Sequence, residues 1–94
     1  MVDGIRFDSK KEANRYCELK LLEKGGIISN LALQVPYTLV ESTKYGRAIK
    51  YVADFVYKEN GNTIVEDVKG VKTPVYKIKK RLMAEKYGIV IKET

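Results

Sequence analysis

Apolar residues recur at helical spacing through the first quarter of the chain and then give way to runs that suit strands. Ala13, Tyr16, Cys17 and Leu21 stand one turn or so apart, flanked by Leu19 and Leu22, and this spacing predicts an amphipathic helix. Its start is marked by Asp8-Ser9-Lys10-Lys11-Glu12. Ser9 with Glu12 three residues on makes a capping box, in which each side chain satisfies an orphan backbone N–H. Gly25-Gly26 ends the helix, because glycine adopts the left-handed C′ conformation cheaply. Three strand-like runs follow: Leu31 to Val40, Ile49 to Tyr57 and Thr63 to Lys69. The turn-prone Tyr45-Gly46-Arg47 precedes the second. Glu59-Asn60-Gly61-Asn62 joins the second to the third, and an Asn-Gly pair between strands predicts an antiparallel hairpin. A second helix starts at Thr73-Pro74, where threonine suits the N-cap and proline suits the first helical position. Val75, Ile78 and Leu82 are its expected apolar stripe. Gly88 closes it, and Ile89-Val90-Ile91 reads as a last short strand. The order αβββαβ predicts an α/β fold with a central mixed sheet flanked by helices, its final strand–helix–strand unit supplying a parallel pair.

At 94 residues the chain is expected to form a single domain over 1–94. A domain of this size buries only about 60% of the surface its unfolded chain exposes, so a second copy or a bound ion would help it. Hydrophobic content of 45% is that of a globular protein. Neither a spanning apolar run nor a signal peptide is evident, which predicts no membrane association and a cytoplasmic location. The chain has one cysteine, Cys17, and no histidine. An internal disulfide, a His/Cys zinc site and imidazole catalysis are thereby excluded. Acid–base chemistry would fall to carboxylate, lysine, tyrosine or water on a metal. Net charge is +6, and residues 1–67 are neutral with 10 basic and 10 acidic side chains, while residues 68–94 carry 8 basic and 2 acidic. A basic segment beside a neutral body suits either a polyanion-binding surface or a lysine-rich solvated helix.

Candidate chemistry centres on Asp67-Val68-Lys69. Alternation along a strand puts Asp67 and Lys69 on one face and Glu66 on the other. Asp54 lies in the second strand between Val52 and Val56 on its own face, where a carboxylate is costly unless it is paired or ligates a metal. The hairpin brings Asp54 toward Asp67 and Lys69. Two nearby carboxylates with open positions suit Mg²⁺ or Mn²⁺, and a lysine beside such an ion can orient or deprotonate an attacking water. The plainer alternative is a cross-strand Asp54–Lys69 ion pair, worth roughly 0.2–1 kcal/mol, with Asp67 in solvent. Downstream, Gly70 permits close approach of a phosphate or a sharp turn. The helix start at Thr73 offers free N–H groups to an anion. Lys77, Lys80 and Arg81 share one helical stripe, with Lys79 off it, and are expected to contact a DNA backbone unless they are only a solvated face. Nothing resembles a base-reading element, which predicts structure-directed rather than sequence-directed recognition.

The stretches Phe7-Asp8-Ser9-Lys10-Lys11-Glu12-Ala13-Asn14-Arg15-Tyr16, Leu31-Ala32-Leu33-Gln34, Tyr51-Val52-Ala53-Asp54-Phe55-Val56-Tyr57 and Val65-Glu66-Asp67-Val68-Lys69-Gly70 together resemble the PD-(D/E)XK nuclease superfamily. The likeness is closest to a group of small phage-encoded proteins known as a domain of unknown function. In element order the chain is also similar to Holliday-junction resolvases and TnsA-type endonucleases. Ala53 stands where the superfamily's proline would be. The resemblance implies a restriction-endonuclease-like core and Mg²⁺- or Mn²⁺-dependent cleavage of DNA, directed to branched or junction structures in phage replication or recombination. A phage-encoded chain would work in the bacterial host cytoplasm. The resemblance further implies that Asp54, Asp67 and the Val68 carbonyl ligate the metal, that Lys69 handles the water, and that Glu12 reaches the site from the first helix, directly or through water. Glu12 is equally the N3 residue of a capping box. Gln34 corresponds to a glutamine near the active site of the TnsA-like branch, and a structural glutamine is the alternative there.

Two other classes of function remain open at this point. One is a nucleic-acid-binding module that keeps the fold without catalysis. The other is a phage protein that modulates the host by binding an acidic partner through its basic helix. A homodimer is expected from the small core and from the pairing of sites that two-strand cutting requires.

Overall fold

The computed structural model describes residues 3–7, 9–68 and 73–94. The element order is α1 (Lys10–Lys24), β1 (Ser29–Val40), β2 (Ile49–Glu59), β3 (Asn62–Asp67), α2 (Pro74–Tyr87) and β4 (Lys92–Glu93). The four strands form one sheet in the order β1-β2-β3-β4. β1, β2 and β3 pair antiparallel, and β4 runs parallel to β3. The sheet is therefore mixed, and α2 makes the crossover that a parallel pair needs. Among the described residues no helix is long and apolar enough to cross a membrane.

Local sequence explains most boundaries. Ser9 caps α1, its hydroxyl accepting from the Glu12 N–H at 3.1 Å, and Gly26 takes the left-handed C′ conformation at φ +78°. Thr73 caps α2 by accepting from the Tyr76 N–H at 3.1 Å. The β2–β3 hairpin turns on Asn60 and Gly61, both at positive φ (52° and 79°), the type I′ pattern that matches strand twist. The last strand differs from expectation. Ile89 and Ile91 pack into the core, and the ladder falls instead on Lys92–Glu93.

Two apolar clusters hold the domain. Tyr16 and Leu19 of α1 pack with Ile28, Phe55, Tyr57 and Val68, and Tyr16 lies between the Phe7 and Phe55 rings at 5.1 and 6.4 Å. Met83 of α2 packs with Leu39, Tyr51, Ala53, Val65 and Ile91. The buried faces of both helices differ from the expected stripes. Cys17 and Leu21 are exposed while Glu12, Tyr16 and Leu19 are buried. On α2, Val75 and Ile78 are about 60% exposed, and the inner face runs through Tyr76, Leu82 and Met83.

Strict alternation would keep residues 51, 53, 55 and 57 on one face. Instead Tyr51 and Ala53 belong to the α2 cluster, whereas Phe55 and Tyr57 belong to the α1 cluster. β1 changes face as well: Leu31 and Leu33 pack toward α1, but Tyr37 and Leu39 toward α2. The two changes coincide. Leu33 pairs with Phe55 and Val35 with Ala53, which sets Gln34 opposite Asp54, and Gln34 has φ +52°. A left-handed residue inside a strand reverses the alternation beyond it. Ala53, Asp54 and Phe55 are consequently all buried in succession, and Val52 is 45% exposed. The expectation that Asp54 shares an apolar face with Val52 is corrected by this kink.

Candidate functional site

Asp54 and Asp67 come together at the kinked end of the β2–β3 ladder. Phe55 pairs with Glu66, so continuing that register sets Asp54 against Asp67. Both are buried, at 1% and 5% exposure, which removes the alternative of a solvated Asp67. Each is oriented by a specific donor. The Val68 N–H donates to Asp54 Oδ2 at 2.8 Å, and the Tyr51 hydroxyl donates to Asp67 Oδ2 at 2.8 Å. Asp54 Oδ1 is buried with no hydrogen-bond partner among the described residues. A buried carboxylate oxygen without a donor or cation is among the costlier arrangements a fold can hold.

Asp67 lines a cavity of about 270 Å³ with Lys50, Tyr51, Thr73, Tyr76 and Lys79. Burial, then the hydrogen bond to Asp67, pushes the Tyr51 hydroxyl well above its ordinary range, so it stays protonated and donating. Burial and a 3.0 Å hydrogen bond to Glu93 raise Tyr76 in the same way, with the negative charges of Asp67 and Asp54 contributing.

Glu12 is 4% exposed and faces β1, where the Gln34 amide donates to its Oε1 at 3.4 Å. Its side chain borders a separate cavity of about 400 Å³ with Phe7, Leu33 and Gln34. Gln34 itself is exposed, so it is no buried structural glutamine, and its backbone makes the kink. Among the described residues, no three His, Cys, Asp or Glu side chains form a group that could hold a metal ion. The structure thus joins Asp54 to Asp67 and places Glu12 against Gln34, the β1 residue opposite Asp54. Lys69 and Gly70 lie outside the described residues.

The expected DNA stripe is largely engaged within the protein. Lys80 Nζ lies 3.0 Å from Glu93 Oε1, and Arg81 Nε lies 3.0 Å from Glu85 Oε1. Lys77 is exposed. Thr73 lines the Asp67 cavity.

Sequence reasoning missed a heavily bonded carboxylate. Glu66, set aside above as pointing to the other face, is fully buried and held bidentately by Arg15: Nε to Oε1 at 2.9 Å and Nη2 to Oε2 at 2.8 Å. The Tyr57 hydroxyl also donates to it, and Thr94 Oγ1 approaches at 3.4 Å. Burial alone would raise the Glu66 carboxyl, but the hydrogen bonds from Arg15 and Tyr57 outweigh it and hold the group below its ordinary range. Arg15 and Glu66 stand 51 residues apart, so no short-range pattern in the sequence joins them.

No curated protein and no solved structure matches the chain. One family does, over residues 1–93, and its description is protein of unknown function, DUF1064. With 93 of its 94 residues matched, the chain belongs to the DUF1064 family.

Proposed function

We propose that this protein is a divalent-metal-dependent endodeoxyribonuclease that hydrolyses phosphodiester bonds at Asp54 and Asp67, acting on branched or junction DNA. The observation that carries the reading is the orphaned Asp54 Oδ1, buried opposite a second buried carboxylate. Two carboxylates side by side repel, and a cation between them offsets both the repulsion and the lost hydration. Two carboxylates are a small set, and they suit Mg²⁺, which is held through one or two carboxylates and keeps several waters. The Val68 carbonyl is a further oxygen donor from the same turn of chain. A divalent cation held there would supply Lewis-acid polarisation of a phosphoryl oxygen and a lowered pKa for water.

The chain's own residues divide the remaining work. The Val68 amide fixes Asp54 through Oδ2 and so directs Oδ1 away from the backbone. Tyr51 fixes Asp67 through its own Oδ2. Burial of both carboxylates keeps bulk water from screening them. Lys69, two residues beyond Asp67, is the proposed group that orients or deprotonates the attacking water. Glu12 is proposed to act at one remove, through Gln34 or water, rather than as a direct ligand. The resemblance of the Tyr51–Tyr57 and Val65–Gly70 stretches to the PD-(D/E)XK pattern supports the same assignment.

The test combines binding with cleavage. Wild-type protein should melt at a higher temperature as Mn²⁺ or Mg²⁺ is titrated, and Asp54→Asn should lose that response. The metal-free variant should be at least as stable as wild type, because an unpaired buried charge has been removed. On a panel of linear, nicked, flap and four-way-junction DNAs, Asp54→Asn and Asp67→Asn should abolish metal-dependent cutting. A wild-type melting temperature indifferent to both ions, with no cutting of any substrate, overturns the reading.

A further inference from the structure

The cationic side chains of this molecule differ in whether a carboxylate already claims them. Arg15 serves Glu66 and Glu18, Lys80 serves Glu93, and Arg81 serves Glu85. Lys50 and Lys79 form no ion pair or hydrogen bond among the described residues, and both line the cavity that Asp67 opens into. They arrive there from different elements, Lys50 near the start of β2 and Lys79 in the second turn of α2. Lys79 is half-buried, so its stem packs on the cavity wall while its ammonium remains available. The two tyrosine hydroxyls of the same cavity already donate to Asp67 and Glu93. Among the described residues, the charged donors of this cavity left uncommitted are therefore the two ammonium groups. At about 270 Å³, against roughly 30 Å³ per water in the liquid, the cavity has room for a phosphate group and its solvent.

An anion beside Asp67 meets a like charge, and it stays only where positive charge compensates. Two lysines converging from separate elements supply that compensation, and the N-terminal end of α2 at Thr73 adds the favourable end of a helix dipole. The expected stripe lacks this arrangement, since two of its three cations are neutralised before any ligand arrives. We propose that the cavity between β2 and the start of α2 seats the phosphate backbone of a DNA strand, with Lys50 and Lys79 as its cationic contacts. The identity of the strand as DNA rests on the function proposed above. The cavity and its two uncommitted lysines do not.

The experiment is a salt series of fluorescence anisotropy on a labelled four-way junction and a linear duplex, with Ca²⁺ in place of Mg²⁺ and again with EDTA. Lys50→Gln/Lys79→Gln should reduce the slope of log affinity against log salt by about 2, close to one per lost phosphate contact. Lys80→Gln/Arg81→Gln should leave it unchanged. Melting curves of both double variants serve as the folding control. An unchanged slope in the Lys50/Lys79 variant, or a loss confined to the Lys80/Arg81 variant, overturns the proposal. A wild type that binds no DNA at low salt overturns it together with the nuclease reading. A wild type that binds through these lysines but never cuts supports the proposal and overturns the nuclease chemistry alone.

Discussion

Replacing Arg15 by alanine should destabilise the fold severely, and the size of the loss follows from what Glu66 would keep. The Glu66 side chain is fully buried, and that of Arg15 is only 18% exposed. Removing one partner of a buried, hydrogen-bonded ion pair costs about 3–5 kcal/mol, because the other charge is left uncompensated. Glu66 would retain the Tyr57 hydroxyl and the longer Thr94 contact, which places the expected loss near the lower figure, about 3 kcal/mol. A domain of 94 residues has a total stability of roughly 5–14 kcal/mol, so a large part would disappear. At about 4–8 °C per kcal/mol for a domain of this size, the melting temperature should fall by at least about 12 °C.

The pH dependence makes the test specific. In the wild type the Glu66 carboxyl is held low, because Arg15 and Tyr57 outweigh the effect of burial. Its contribution is present above the ordinary carboxylate range and is lost as pH falls through the lowered folded value. Without Arg15, burial dominates and the folded value rises above the unfolded one. The group then destabilises at neutral pH, and that penalty is relieved as pH falls through the raised value. Urea unfolding followed by circular dichroism at pH 7 and pH 4.5 should therefore show a deficit that shrinks on acidification. Glu66→Gln in the Arg15→Ala background should recover part of the loss at pH 7. Glu18→Ala, which removes the exposed partner of Arg15, should cost no more than about 1 kcal/mol. An Arg15→Ala protein within about 1 kcal/mol of wild type at pH 7, or a deficit independent of pH, would refute the reasoning.

Two further outcomes are expected. Gln34→Gly should be neutral or slightly stabilising, since it relieves a φ of +52°. Gln34→Val should lose about 1–2 kcal/mol, because a β-branched side chain is poorly accommodated there, and urea midpoints for the pair decide the matter. Burial, with hydrogen bonds to Asp67, Glu66 and Glu93, raises Tyr51, Tyr57 and Tyr76 above their ordinary value of 10.0. Their contribution is full below about pH 10 and is lost as pH rises through the folded values, so the melting temperature should hold to about pH 10 and then fall. Tyrosinate absorbance from more than four of the seven tyrosines before any unfolding would contradict this.

Where local chemistry dictated the fold, the sequence was legible. Asn60-Gly61 had to be a hairpin because both residues must take positive φ, and Thr73-Pro74 had to open a helix. Asp54 and Asp67 could be paired from the hairpin register alone. What was hidden depended on distant contacts. A glutamine at positive φ has no sequence signature, so the reversal of alternation at Gln34 was invisible and Asp54 was assigned the wrong neighbours. On α2 the partly buried stems of Lys79 and Lys80 disguise the inward face, and the more apolar Val75 and Ile78 drew the eye to the solvent side. The Arg15–Glu66 pair links α1 to β3 and leaves no short-range trace.

The kink and the candidate site are one feature. Had β2 alternated regularly, Tyr51 would lie on the α1 face with Phe55 and Tyr57, on the opposite side of the sheet from Asp67. The reversal at Gln34 and Asp54 turns Tyr51 onto the α2 face, where its hydroxyl meets Asp67 Oδ2 at 2.8 Å. The same reversal buries Asp54, with one oxygen taken by the Val68 amide and the other left without a donor among the described residues. A carboxylate placed by ordinary alternation would share a face with its neighbours and find water or a lysine there. The left-handed Gln34 is thus the local backbone cost at which a small sheet brings two buried carboxylates together, Asp54 oriented by the Val68 amide and Asp67 by the Tyr51 hydroxyl. For the function proposed above, the buried Asp54 Oδ1, without a partner among the described residues, is a stronger physical argument than the bare presence of Asp-x-Lys in a strand.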